Sequence, residues 1–230
     1  MANSDYKKLI TEKPWLWAKE HWDKLDTYVP TKVVKLDIDP EEWIKFTVDN
    51  FDLAYLDHEA PKPHYDEFSN KITTLNVKMG MNINTTFALL YGVDSKTKEK
   101  VLEMLGENNL KLLNLRPDYL FLKLIVKMPG HSTAWHADSL GRYIERFKDD
   151  LQIDKIDKYT HMCQHGQIVR FWFPVTDWDN GHTLQISKTS ITNWKAGDVY
   201  SIPFGIGHCS SNAGYVPQLT VSLTGIVRNH

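Results

Sequence analysis

Cysteine is nearly absent: Cys163 and Cys209 are the only two in 230 residues. Two thiols cannot build a disulfide framework or a cysteine-based zinc site. They fit a chain that folds in a reducing compartment, and the cytoplasm is the expected location. No stretch approaches the ~20 apolar residues of a membrane span. The opening "MANSDYKKLITEKPW" lacks the apolar core of a signal peptide. Charge of one sign is lacking as well. Twenty-seven Lys and Arg stand against 29 Asp and Glu, for a net charge of −2. No global field therefore draws the protein to nucleic acid or to an anionic membrane, and no basic stripe appears. Repeats, low-complexity tracts and long linkers are missing too, so residues 1–230 are expected to form one domain.

What the chain does have is aromatic residues: 8 Trp, 10 Tyr and 9 Phe. They supply core volume, or a pocket for a flat or extended ligand. Trp15, Trp17 and Trp22 do not fit one helix stripe and are expected to pin the N-terminal segment onto the domain. Residues 1–117 read as a polar cover of helices and loops. "DPEEWIKFTVDN" starts a helix well, with Asp39 as N-cap and Pro40 at the first helical position. "DSKTKEKVLEMLGENN" is amphipathic and closes near Gly106. After Pro117 the pattern changes to strands, at 119–128, 167–178, 182–191, 196–204 and 217–227, punctuated by Pro, Gly, Asn and Asp. Helices upstream and short strands downstream predict a mainly β fold, a sandwich or jelly roll with N-terminal helices. Residues 140–166 are charged and partly helical in pattern, and read as an insertion or lid in the 118–230 framework.

Within "AWHADS", residues 134–139, His136 and Asp138 stand two apart. Chance placement predicts roughly one His-x-Asp pair in a chain of this composition, and there are two, so context decides. The second, His64 and Asp66 in "PHYDE", lies in a Pro-punctuated loop with no strand beside it, and reads as a solvated pair. His136 and Asp138 follow a strand and a Pro-Gly turn. In an extended segment residues i and i+2 point to one side. His208, behind the turn and strand "AGDVYSIP" and before the last long strand, is the best third ligand. Two His and one carboxylate on one face of a metal, the other face open, make the facial triad of non-haem Fe(II) oxygenases. His161, Cys163 and His165 form another cluster. If helical, its two His stand one turn apart and could share a metal, though no second ligand pair lies near in sequence.

Three segments carry a resemblance: "MPGHSTAWHAD", "VRFWFPVTDW" and "WKAGDVYSIPFGIGH". In that order, over roughly residues 119–227, they resemble the Fe(II)/2-oxoglutarate-dependent oxygenases. The prolyl 4-hydroxylase and aspartyl/asparaginyl β-hydroxylase branch is most similar. The resemblance implies a double-stranded β-helix of jelly-roll or cupin-like form. It implies iron held by His136, Asp138 and His208, and 2-oxoglutarate decarboxylated to succinate while a C–H bond is hydroxylated. The substrate is not legible: an amino-acid side chain, a peptide or a small molecule all stay open, and nucleic acid is not expected. That branch places an Arg or Lys about ten residues past the distal His, to pair with the cosubstrate's remote carboxylate. Here that position is Gln218, which cannot supply charge. Arg170, interrupting an apolar strand, is the expected replacement, with Gln218 and Thr220 as polar partners; Lys123 and Lys127 are secondary candidates. Two other readings stay open: a jelly-roll binding protein with lost chemistry, and a cupin-like metalloenzyme that does not use 2-oxoglutarate. Oligomeric state is not legible.

Overall fold

The computed structural model describes residues 28–49, 55–56, 86–91, 95–127, 129–130, 132–137, 143–144, 147, 150–151, 156, 161–204 and 206–228. Among these the strands are β1 (Lys32–Lys35), β2 (Tyr55–Leu56), β3 (Thr86–Tyr91), β4 (Phe121–Lys127), β5 (Ser132–Ala137) and β6 (Met162–Cys163). They continue as β7 (Gly166–Pro174), β8 (His182–Ile186), β9 (Thr189–Ile191), β10 (Asp198–Ser201), β11 (Gly207–Asn212) and β12 (Gln218–Val227). The helices are α1 (Pro40–Asp49), α2 (Ser95–Leu105) and α3 (Glu107–Leu112). A large sheet runs β1-β10-β7-β12-β4-β3-β2, with β6 hung on β7, and a small one runs β5-β11-β8-β9. All pairings are antiparallel. From β4 onward the chain passes back and forth between the sheets, so β4, β7, β10 and β12 lie in one while β5, β8, β9 and β11 lie in the other. Two antiparallel sheets interleaved in this way are a jelly roll.

Strand β12 shows how the sequence builds the layers. Leu219, Val221 and Leu223 alternate with Gln218, Thr220, Ser222 and Thr224, and alternate residues of a strand face opposite ways. The leucines and valine join Leu122, Leu124, Phe171 and Phe173 in one buried cluster with Trp43 and Phe46 of α1 and Val101, Met104 and Leu105 of α2. The Trp43 and Phe173 rings meet edge to face at 6.1 Å. Helix α1 begins where its sequence says it should, for Asp39 Oδ1 accepts from the backbone N–H groups of Glu41 (2.9 Å) and Glu42 (3.3 Å). The helices thus cover one face of the large sheet. The other face, bearing the polar half of β12 together with Trp172, looks toward the small sheet. Trp172 packs there in a cluster with Leu184, Ile186 and Trp194.

The Gly-Asp turn of "WKAGDVYS" is structural. Gly197 has φ +80°, and a Cβ there would stand 2.5 Å from the Leu36 carbonyl oxygen. Asp198 Oδ2 accepts from the Lys195 backbone N–H at 3.0 Å, and Oδ1 pairs with Lys32 at 3.2 Å. The turn therefore launches β10 between β7 and the edge strand β1.

Several segments differ from the sequence expectation. β1 and β3 belong to the large sheet although they lie in the stretch read as helix and loop; four residues of β1, mostly exposed, give too short an alternation to detect. Residues 182–191 are both arms of a hairpin, turning at Ser187 (φ +53°). The amphipathic helix closes at Gly106 (φ +71°), as expected, but a further helix, α3, follows at once. His161, Cys163 and His165 lie in the β6–β7 hairpin instead of a helix. Cys163 Sγ donates to the Gly166 carbonyl at 3.2 Å, and the His165 ring stacks on Tyr119. Of the expected lid, Tyr143, Phe147 and Leu151 pack with Cys163, Ile168 and Ile226. Ile168 and Ile226 are register partners at one end of the inner face, so this part of 140–166 closes that end. Trp15, Trp17, Trp22, His64 and Asp66 lie outside the described residues. No helix among the described residues is long and apolar enough to cross a membrane.

Although burial alone would raise it, the Asp198 carboxyl is held below its ordinary value by the Lys195 backbone N–H and by Lys32 and Lys35. A carboxyl lowered on folding contributes stability above the unfolded-state value of about 4 and loses it as pH falls through the folded value. Asp198→Asn is expected to lower the urea midpoint at pH 7, with the gap from wild type closing as pH drops below about 4.

Candidate functional site

β11 is an inner strand of the small sheet, flanked by β5 and β8. This places His208 directly across from His136 on one side and Ile186 on the other. Directly opposed residues of an antiparallel pair have Cα atoms about 4.5–5.5 Å apart. Two histidines separated by seventy-odd residues are thereby neighbours. Just past them the β5–β11 register slips, between His208 and Ser210, and such bulges re-aim side chains.

The His208 side chain is buried. Its Nδ1 stands 3.0 Å from the Ile206 carbonyl oxygen. A carbonyl only accepts, so Nδ1 carries the proton, and in the neutral ring Nε2 carries the lone pair. A backbone acceptor that fixes the tautomer and ring plane in this way is the usual support of a metal-binding histidine. On the same face of the small sheet, Leu184 and Ile186 join Trp172, Ile191, Trp194 and Ile202 in an apolar wall, with Trp172 and Trp194 edge to face at 5.3 Å. Asp138 lies outside the described residues. Among the described residues no three His, Cys, Asp or Glu side chains cluster as a metal site, and the His161, Cys163 and His165 hairpin forms none.

Across from this wall runs the polar half of β12. Gln218, Thr220 and Thr224 are all buried there. Register sets Lys127 of β4 opposite Gln218, Lys123 opposite Ser222, and Arg170 of β7 opposite Thr224. Lys127 and Arg170 are each 4 % exposed. Gln218 and Thr224 are six residues apart, roughly 20 Å along an extended strand. The fold therefore does not bring Arg170 to Gln218. Instead Arg170 donates from Nε to the Ile202 carbonyl at 3.2 Å and from Nη2 to the Pro203 carbonyl at 3.4 Å. Its guanidinium lies 5.2 Å from the centre of the Phe204 ring, which also meets His161 edge-on. These groups sit toward the end closed by Tyr143 and Phe147. The cation at the Gln218 end is Lys127. Burial pushes the Cys209 thiol of β11 up, and the charge of Lys127 offsets part of that rise.

Asn212 escaped the sequence reading because "SSNAG" looks like an ordinary turn. It is buried, and its Nδ2 donates to the carbonyls of Lys127 (2.9 Å) and Val216 (2.7 Å). Its Oδ1 accepts from Gly214 N–H at 3.0 Å, and its own carbonyl accepts from Gly130 N–H at 2.8 Å. One side chain thus ties the end of β4 to the strand that carries His208. Phe204 was missed for a similar reason, hidden in a Pro-Phe-Gly turn. Asn212→Ala leaves the buried Lys127 carbonyl without this donor, and the part-buried Val216 carbonyl with only the His182 ring, and is expected to cost about 2 kcal/mol in urea unfolding. A loss below about 0.5 kcal/mol, the level of an ordinary surface substitution, would show that the clamp is unimportant.

No family model matches the chain, and no curated protein matches it. Solved structures do resemble it. A cupin 2 conserved barrel protein from Salinispora arenicola is 16% identical over 46% of this chain and 63% of its own, just under two thirds of its length, with a TM-score of 0.28. A predicted oxalate decarboxylase from Thermotoga maritima is 11% identical over 61% of this chain and 80% of its own, with a TM-score of 0.31. A non-heme monooxygenase in a nickel complex, ThoJ, is 15% identical over 53% and 54%, with a TM-score of 0.35.

Proposed function

We propose that the protein is a non-haem iron dioxygenase that uses 2-oxoglutarate to hydroxylate a small molecule or a peptide side chain, in a reducing compartment such as the cytoplasm. The observation that carries this reading is the register pairing of His136 with His208, with His208 Nδ1–H committed to the Ile206 carbonyl. In the reading, His136, Asp138 and His208 hold the iron. Two imidazoles and a carboxylate suit Fe(II) and leave positions for a cosubstrate. Bound together, iron and 2-oxoglutarate supply O₂-dependent hydroxylation coupled to release of succinate and CO₂.

The chain's own residues provide the setting. Ile206 keeps His208 in the tautomer that offers Nε2. Trp172, Leu184, Ile186 and Trp194 exclude water from one wall, which strengthens every polar contact within. Thr220 and its neighbours on β12 give the opposite wall hydroxyls and a carboxamide with which to orient an oxo-acid. Arg170 and Phe204 stand with the lid residues at the end through which a substrate would be framed.

A cupin-like metalloenzyme that does without 2-oxoglutarate is favoured by one observation, the uncharged Gln218 on the inner face of β12. Anaerobic absorption spectra separate the two. Fe(II) with 2-oxoglutarate is expected to give a weak visible charge-transfer band, lost in His136→Ala and His208→Ala. Both variants should also lose at least tenfold in Fe(II) affinity. Absence of the band in wild type, with Fe(II) bound, would overturn the 2-oxoglutarate reading in favour of the alternative.

A further inference from the structure

We infer that the end of the roll held by Asn212 contains a binding site for an ordered internal water, built by His182, Trp194 and Gln218. The inference stands apart from the iron and oxo-acid reading and does not depend on it.

Among the described residues four buried side-chain N or O atoms have no hydrogen-bond partner: Trp43 Nε1, His182 Nδ1, Trp194 Nε1 and Gln218 Oε1. Each such atom costs free energy, and internal water is a common remedy. Three of the four gather at one end of the interior. His182 shares the parity of Leu184 and Ile186 on β8, so it faces inward. It is the register partner of Asn212, and its Nε2 stands 3.0 Å from the Val216 carbonyl to which Asn212 also donates. Gln218 lies two residues beyond Val216, on the inner half of β12. It stands opposite Lys127, whose carbonyl takes the other Asn212 bond. The Trp194 ring is nearly parallel to that of His182, with 14° between planes and 6.3 Å between centres. Two hydrogen bonds through one water span roughly 5 Å, which suits rings so placed. His182 and Trp194 are each 1 % exposed and Gln218 2 %, so bulk solvent does not serve these atoms.

The chemistry of the three atoms selects the ligand. The Val216 carbonyl only accepts, so His182 Nε2 carries the proton, and in the neutral ring Nδ1 is an acceptor. Trp194 Nε1–H is a donor only, and Gln218 Oε1 is an acceptor. A carboxylate would meet Trp194 but set its lone pairs against those of His182 and Gln218. A cation would leave the Trp194 N–H unmet. Water accepts from Trp194 and donates to His182 and Gln218, the three bonds typical of a buried water. A flip of the Gln218 amide leaves this intact, because water both donates and accepts. The bridge joins Trp194 of the apolar wall to the strand ends that Asn212 clamps. Trp43 is the contrast. Its Nε1 is orphaned in the apolar cluster beneath the helices, against Phe173, with no second orphaned group beside it.

Water-selective NOE and ROE spectra of the isotope-labelled full chain test this, with indole signals assigned through Trp194→Phe and Trp43→Phe. The Trp194 Nε1–H is expected to show cross-peaks to water of opposite sign in the two spectra, the signature of a water held in place instead of proton exchange. The Trp43 Nε1–H is expected to show none. His182→Phe keeps a ring and removes the acceptor, and should abolish the Trp194 cross-peak. If His182→Phe is poorly folded, Gln218→Met, similar in length and without the acceptor, takes its place and should weaken the cross-peak at least twofold. Three results would each overturn the inference: no cross-peak at Trp194 in wild type, an undiminished one in the folded variant, or an equal one at Trp43.

Discussion

The two-residue alternation of β12 is the constraint on which the molecule depends. This strand lies between β4 and β7, and it must satisfy a helical layer on one side and the interior of the roll on the other. Its leucines and valine go to the helices and its Gln, Thr and Ser residues go inside. Because side chains of a strand alternate strictly, a slip of one residue would exchange the two sets. It would bury Thr hydroxyls against Trp43 and Phe173 and remove the polar groups of β12 from the inner wall. Stability and site chemistry thus rest on one register.

That register carries outward through cross-strand pairing. With β12 fixed, Lys127 and Arg170 can only stand opposite Gln218 and Thr224. The two cations end up at opposite ends of the polar stripe, and the interior gains a direction. One end is knit together by Asn212 where β4, β11 and the β11–β12 turn meet. The other is closed by Tyr143, Phe147 and Leu151. The histidine pair lies across the roll on the small sheet, where β11 is held on both edges and has little freedom to move His208.

Burying a lysine and an arginine in a domain of this size is costly unless the surroundings compensate. For Arg170 part of the compensation is visible in two backbone carbonyls and the face of Phe204. A guanidinium suits that role because its donors diverge in a plane and can serve several carbonyls at once.

The sequence by itself determined a good deal: a β framework after Pro117, the N-cap of α1, the amphipathic pattern and end of α2, and Gln218 and Thr220 as polar positions of the last strand. It also singled out His136 and His208. These are all readable because they depend on local periodicity or on turn chemistry, which residues within one segment decide. It missed β1 and β3, whose short runs gain meaning only against the strands they join. Asn212 was missed too, because its partners Lys127 and Val216 are brought to it by the fold. An arginine interrupting an apolar strand suggested Arg170 as the cation, with Lys127 only a secondary candidate, yet the register sets Lys127 beside Gln218. Which residues of two strands stand opposite one another depends on how the turns and layers between them close, and no pattern within either strand records that register.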